Sequence, residues 1–474
     1  MSSKLLKAAY SPEDFRWRGH KLIDKLADHL DSSLNGSRTK VINWSSPEDE
    51  RNYWINFLKN GEEESLFDKI IERSIHIHHP RYLGHQISPT VPITALTSIL
   101  SAQLNNGMGI YEMGAASTAM ERIITDLLCS QVGFSDSANG FLTSGGTLAN
   151  LTALLSARNN LVKQRVWQRG SSGKLAIMVS EEAHYCIDRA VRIMGLGDEG
   201  IVKIPADKDF SLRTDLLESC FNKAVENGLE IFAIVASAPA TATGIYDDLE
   251  AISKFAIEKN IWMHVDGAHG GAAIFSKKYS GTVKGIQFAD SVVIDGHKMM
   301  MMPGITTALL FKDGNNSHNT FRQKADYLLL DSEEEDWYNL AKRTFECTKY
   351  MMSLHWYTLI KSYGFTLFDE FVTTLYDLGE RFANMVQLDP AFELAVKPMS
   401  NIVCFRFLGG VSSTSEINEL NKRIRQQLLE EGEYYIVQTM LRGIQYLRVT
   451  IMNPFTTSDD LKNLLIKIKE LGEK

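Results

Sequence analysis

Residues 261–275 read IWMHVDGAHGGAAIF, and residues 289–310 read ADSVVIDGHKMMMMPGITTALL. In the first segment an apolar run, Ile261 to Val265, delivers Asp266, followed by the small residues Gly267, Ala268, Gly270 and Gly271. In the second a β-branched run, Ser291 to Ile294, delivers Asp295, His297 and Lys298. Two short apolar runs that each end in a polar residue and then glycine predict buried parallel strands with loops at their C-terminal ends. Ligand sites in open α/β sheets gather at those ends. The plain alternative is two ordinary strands carrying a surface acid and a surface lysine.

An acid at one strand end and a lysine at another suit pyridoxal phosphate chemistry. A lysine amine forms a Schiff base with the cofactor aldehyde. A carboxylate keeps the pyridine nitrogen protonated, so that the ring acts as an electron sink. A third segment, residues 141–160, reads FLTSGGTLANLTALLSARNN. Phe141 to Thr143 ends a strand, Ser144, Gly145, Gly146 and Thr147 form a tight turn, and Leu148, Leu151, Leu154 and Leu155 mark a helix. Such a turn at a helix N-terminus presents N–H groups, a hydroxyl and the positive end of the dipole to an anion. It is not a Walker loop, because no GKS or GKT follows.

Composition sets broad limits. The 474 residues suffice for a large and a small domain. A net charge of -8 argues against general nucleic-acid affinity. Runs of the ~18 apolar residues needed to span a membrane are missing. The N-terminus, MSSKLLKAAYSPEDF, reads as lacking a signal-peptide apolar core. Five dispersed cysteines without a CxxC pair suit a reducing cytosol and argue against a disulfide framework or zinc site. A soluble cytoplasmic protein is therefore expected, with no resident metal. His76, His78 and His79 lie close in sequence, but no acid or cysteine completes a ligand set.

The segments HVDGAHGG and DGHKMMMMP resemble the cofactor segments of the group II pyridoxal-phosphate-dependent amino-acid decarboxylases, which act on glutamate, aromatic amino acids or diaminobutyrate. Matching motifs run from about His79 to Thr457. The resemblance implies an α/β, fold type I transferase architecture, with a mainly parallel central sheet, helices on both faces and a small C-terminal α/β domain. It divides the chain into an N-terminal helical segment, 1–90, packing across a homodimer, a cofactor domain, 91–368, and a small domain, 369–474. Lys298 then carries the cofactor, Asp266 meets its ring nitrogen, and Ser144, Gly145, Gly146 and Thr147 take its phosphate. His184, in EEAHYCIDRAVRIMG, occupies the place of a histidine that stacks on the ring and can donate a proton. Thr241, Ala268, Asp295 and His297 complete the cofactor set.

The remaining assignments are also implied by the resemblance. The loop HHPRYLGHQISPTVP gives Tyr82, His85 and Gln86 as substrate-pocket candidates. Arg448, in a Leu-Arg-Val-Thr strand, could meet an acidic substrate group or serve structure alone. Residues 312–340 read as a mobile loop, within which Tyr327 stands for the tyrosine that protonates the carbanion once carbon dioxide has left. Glu121 and Arg122 begin a helical face and suit a capping role, and Lys349 occupies a position that is often arginine. In ASAPATATGIYDDL the chain departs from the family: Pro239 replaces a usual glycine and Ala240 a usual threonine, while Thr241 and Thr243 remain.

The expected reaction is decarboxylation of an L-amino acid to the amine and carbon dioxide, the D-x-H-K variant leaning toward an aliphatic diamino or acidic substrate. The departures at Pro239 and Ala240 keep a second outcome open: oxidative decarboxylation to an aldehyde, or carbon–carbon lyase chemistry. A non-catalytic scaffold is the third reading, and the intact Lys298, Asp266 and His184 count against it.

Overall fold

The apolar runs that deliver Asp266 and Asp295 form neighbouring strands of one sheet. The computed structural model describes residues 3–171, 173–318, 320–321, 337–411 and 413–473. They group into two compact units: Gln86–Ala383 with Val396–Val403, and Met1–His85 with Asn384–Ala395 and Cys404–Lys474.

The larger unit is built on seven strands: β1 Asn139–Thr143, β2 Leu175–Ser180, β3 Ile201–Ile204, β4 Glu230–Ser237, β5 Trp262–Asp266, β6 Ser291–Asp295 and β7 Thr307–Phe311. Their order across the sheet is β1-β7-β6-β5-β4-β2-β3. The pairs β2–β3, β2–β4, β4–β5 and β5–β6 are parallel. Strand β7 runs antiparallel to both β6 and β1. The reversal follows from chain length. A parallel return needs a crossover of about a dozen residues or more, usually a helix, and the link from Asp295 to Thr307 holds glycine and proline instead.

Strands β1, β2, β5, β6 and β7 are buried along almost their whole length, as runs without polar alternation require. Phe141, Ile177, Val179, Ala233, Val235, Val293 and Leu309 pack in one core with Ala149, Ala153 and Leu154 of the helix Gly146–Leu161. Register then places the functional ends together. Thr143 and Asp295 both pair with Thr307, while Asp266 pairs with Ser237. The C-terminal ends of β1, β4, β5 and β6 thus share one edge.

Glu121 corrects the sequence reading. It lies inside the helix Ala115–Val132, almost fully buried, rather than capping a helix. Its carboxylate accepts the Leu142 N–H at 2.9 Å and the ammonium of Lys349, which also donates to the Leu142 carbonyl at 2.6 Å. A buried ion pair therefore rivets this helix and the 340s segment to β1.

In the smaller unit, Ser11 caps the helix Pro12–Leu34 by accepting the Asp14 N–H, with proline in the first turn. Ser33 is the one buried residue of that helix. Leu5, Leu6, Tyr10, Phe15 and Trp17 are at least half exposed. Strands β8 Phe392–Leu394, β9 Ile402–Phe407, which enters this unit at Cys404, β10 Val437–Leu441 and β11 Ile444–Thr450 form an antiparallel-edged sheet ordered β10-β11-β9-β8. The final helix, Ser458–Gly472, begins with a reciprocal cap between Thr457 and Asp460. Among the described residues, no helix is long and apolar enough to cross a membrane.

Candidate active site

At the shared edge of the larger unit lies a cavity of about 260 Å³, lined by the β1 turn, the ends of β4, β5 and β6, and the start of the helix Tyr185–Ile193. Ser144, Gly145, Gly146, Thr147, His184, Thr241, Asp266, Ala268, Asp295, His297 and Lys298 all line it. Every cofactor candidate read from the sequence is therefore brought to one place. Asn150, Cys186, Pro239, His269 and Ile305 line it too.

The turn after β1 works because it lacks side chains. Gly145 has φ +116°, and no side chain caps the helix Gly146–Leu161 that it opens. A Cβ on Gly146 would stand 3.1 Å from Asp295 Oδ1. The bare backbone thus admits Asp295 from one side and leaves helix N-terminal N–H groups for an anion. Pro239 has a similar partner. A Cβ on Gly270 would come within 2.6 Å of Pro239 Cδ, so the proline that departs from the family packs on a glycine.

Lys298 Nζ lies 3.0 Å from Asp295 Oδ2, and Asp295 is almost wholly buried. Burial opposes a charge on Lys298, but Asp295 and then Asp266 outweigh it and hold the amine above its ordinary range. The site therefore favours a positively charged nitrogen at the Nζ position. Asp295 also accepts the Thr307 hydroxyl, and His297 Nε2 stands 3.6 Å from it. Asp266 is half-buried and accepts the Ala268 N–H at 3.2 Å.

His184 caps its helix: Nδ1 accepts the Cys186 N–H at 3.3 Å. Its neutral ring then carries the proton on Nε2. Burial lowers its pKa, against the pull of Asp266. Beneath the cavity a donor chain has one direction. Trp262 Nε1 donates to Ser291 Oγ, which lies 2.8 Å from His264 Nδ1, and His264 Nε2 lies 2.7 Å from Asn150 Oδ1. Asn150 Nδ2 in turn reaches Cys186 Sγ at 3.5 Å. An amide oxygen only accepts, so His264 must donate from Nε2 and receive at Nδ1. Burial keeps that ring neutral by lowering its pKa to about 4.

The substrate candidates are each placed within their own unit. Tyr82 is buried in the smaller unit, stacked on Tyr435 at 5.6 Å with its hydroxyl donating to the His85 carbonyl. Exposed His85 has its ring 5.9 Å from Tyr435. Arg448 is buried on β11 opposite Val437, and burial lowers its pKa. Gln86 begins the larger unit and buries its side-chain nitrogen. Tyr327 lies outside the described residues.

Sequence reasoning missed Glu346, which accepts the Ser144 hydroxyl at 2.8 Å and its N–H at 3.4 Å. The signal was present as RTFECTK, where Arg343, Glu346 and Lys349 recur every third residue. It also passed over Asn150 and His269, although both lie within quoted motifs. His269 Nε2 lies 2.8 Å from Asn401 Oδ1.

This donor set fits an organic phosphate bearing a carbonyl. A side-chain-free turn suits the phosphate, an amine suits the carbonyl, and Asp266 suits a protonated ring nitrogen. Glu346 already sets a carboxylate oxygen on the Ser144 hydroxyl and N–H at the start of the turn. When bound, pyridoxal phosphate supplies the electron sink. Around the cavity the chain offers the carboxylates of Asp266 and Asp295, the Lys298 amine and an N–H at His184 Nε2.

The comparisons with known proteins agree. The pyridoxal-dependent decarboxylase conserved domain matches residues 63–408. An aromatic-L-amino-acid decarboxylase of Bacillus atrophaeus is 26% identical over 98% of this chain and 96% of its own length. An L-2,4-diaminobutyrate decarboxylase of Acinetobacter baumannii is 27% identical over 87% and 83%. The solved glutamate decarboxylase domain of the diaminobutyrate-pyruvate transaminase and L-2,4-diaminobutyrate decarboxylase from Vibrio parahaemolyticus superposes with a TM-score of 0.82 at 26% identity, covering 95% of each chain. The chain belongs to the pyridoxal-dependent decarboxylase family and is an amino-acid carboxy-lyase that works with pyridoxal phosphate.

Proposed function

We propose that the protein decarboxylates an aliphatic diamino or acidic L-amino acid, releasing the amine and carbon dioxide. The observation that carries the reaction is the convergence of Lys298, Asp266, His184 and the 144–147 turn on one cavity. Lys298 carries the cofactor, Asp266 holds its ring nitrogen, His184 stacks on the ring and donates from Nε2, and the turn takes the phosphate. Thr241, Ala268, Asp295 and His297 surround it. Tyr327, assigned by resemblance, is the second proton donor. Tyr82, His85, Gln86 and Arg448 meet the substrate, with Arg448 favouring an acidic group. The diamino side of the choice rests on the D-x-H-K variant and on the two diaminobutyrate-related relatives.

The working protein is proposed to be a cytoplasmic homodimer. The apolar side chains exposed from Leu5 to Trp17 support a role for residues 1–90 in pairing. The cofactor domain, 91–368, and the small domain, 369–474, complete that proposed division.

The test is incubation of cofactor-loaded protein with a panel of L-amino acids, including 2,4-diaminobutyrate, lysine, aspartate, glutamate and the aromatic acids, read by mass spectrometry. One amine, lighter than its parent by carbon dioxide, identifies reaction and substrate together. Turnover of aromatic acids alone would overturn the substrate proposal. A second reading rests on Pro239, which lines the cavity where the family usually has glycine. It predicts oxygen consumption and an aldehyde product instead of the amine.

A further inference from the structure

Three side chains of the 340s segment reach β1 and its turn. Arg343 donates to Asn139 Oδ1 at 3.3 Å and to Ser317 Oγ at 3.1 Å, at the strand's start. Lys349 donates to the Leu142 carbonyl and to Glu121 near its end. Between them, Glu346 takes the hydroxyl and N–H of Ser144. The Thr344 hydroxyl also donates to the Glu346 carbonyl at 2.9 Å. Buried partners anchor both flanks, so the part of Glu346 able to change place is its side chain. Its second oxygen, Oε2, is buried without a hydrogen-bond partner among the described residues.

A carboxylate and a phosphate cannot share these donors without like charges coming into contact, and such repulsion is strong where water is thin. We propose that Glu346 competes with the cofactor phosphate for Ser144 and so sets the affinity for the phosphorylated cofactor. The proposal rests on the assignment of the phosphate to the 144–147 turn. Binding the phosphate requires the Glu346 side chain to release Ser144. That cost falls on pyridoxal phosphate and spares a pyridoxal without phosphate.

The experiment strips cofactor from the full-length protein and titrates wild type, Glu346→Gln and Glu346→Ala with pyridoxal phosphate and, separately, with pyridoxal. Binding is read from the absorbance of the lysine-bound cofactor and from quenching of tryptophan fluorescence. Both variants should bind pyridoxal phosphate about fivefold more tightly or better, with pyridoxal affinity unchanged. Equal or weaker pyridoxal phosphate binding in both variants, with melting temperatures unchanged, would overturn the competition and make Glu346 a support for Ser144. An equal gain for both ligands would overturn it as well. If neither wild type nor variants develop the absorbance, the cofactor assignment itself falls, and the competition with it.

Discussion

Two aspartates end adjacent strands of one sheet and meet different surroundings. Asp295, on β6, is almost wholly buried and already committed to the Lys298 ammonium and the Thr307 hydroxyl. Asp266, on β5, is half-buried, and its carboxylate accepts the Ala268 N–H. The cause lies in the chain just beyond each strand. After β6 the chain doubles back as β7 and returns Thr307 beside Asp295. After β5 the next two residues are Gly267 and Ala268, which carry no side-chain donor. The same side chain thus serves as counter-ion to a fixed cation in one place and faces the cavity with acceptor capacity to spare in the other.

The largest effect should come from removing the cation that the two acids share. Lys298→Ala should cut turnover about 10³-fold or more and remove the absorbance of lysine-bound cofactor. Persistent turnover would break the assignment. Next comes a control on a third acid, Glu121, buried outside the cavity. Lys349→Met leaves Glu121 buried without its cation and should cost about 3–5 kcal/mol in denaturant unfolding. Folded protein should still develop the cofactor absorbance.

The comparison itself is tested by Asp266→Asn against Asp295→Asn. The first should lower kcat about 10²-fold, consistent with losing a charge partner made in the reacting state. The second should lower kcat less than about tenfold, while shifting the pH dependence of cofactor linkage downward as Lys298 loses its counter-ion. Equal losses of kcat would erase the distinction.

The smallest effect, taken per histidine over one pH unit, is a slope of stability with pH. His264 and His355 are buried, and burial lowers each from 6.5 to about 4. Between those values the unfolded chain binds protons that the folded chain refuses, so stability present above about pH 6.5 is lost as pH falls toward 4. The slope is about 1.4 kcal/mol per pH unit for each such histidine. Melting temperatures that stay flat across this window would contradict it.

The sequence revealed most where a pattern is local. Apolar run, acid, small residues is a single uninterrupted signal, and it located β5, β6 and the 144–147 turn within a residue or two. Short β3 was missed because it holds only four residues, of which Ile201 and Val202 are partly buried and Lys203 is exposed. The reversed direction of β7 is a property of pairing, and no pattern within TTALLF encodes it. Glu346 and Ser144 meet across 202 residues of chain, a distance over which periodicity carries no information. The Glu121–Lys349 pair spans 228 residues and was hidden for the same reason.

The antiparallel pairing of β1 with β7 also bears on how the protein is made. Asn139 pairs with Phe311, so the 144–147 turn at the end of β1 is completed by residues that leave the ribosome much later. At about 5–20 residues per second, the gap corresponds to roughly ten to thirty seconds of synthesis. During that interval β1 presents an unpaired apolar edge, a template for wrong partners. A nascent chain halted before residue 307 would carry the whole SGGT motif and yet lack the strand that joins it to Asp295 and Lys298. Cofactor capture should therefore be a late event in biosynthesis.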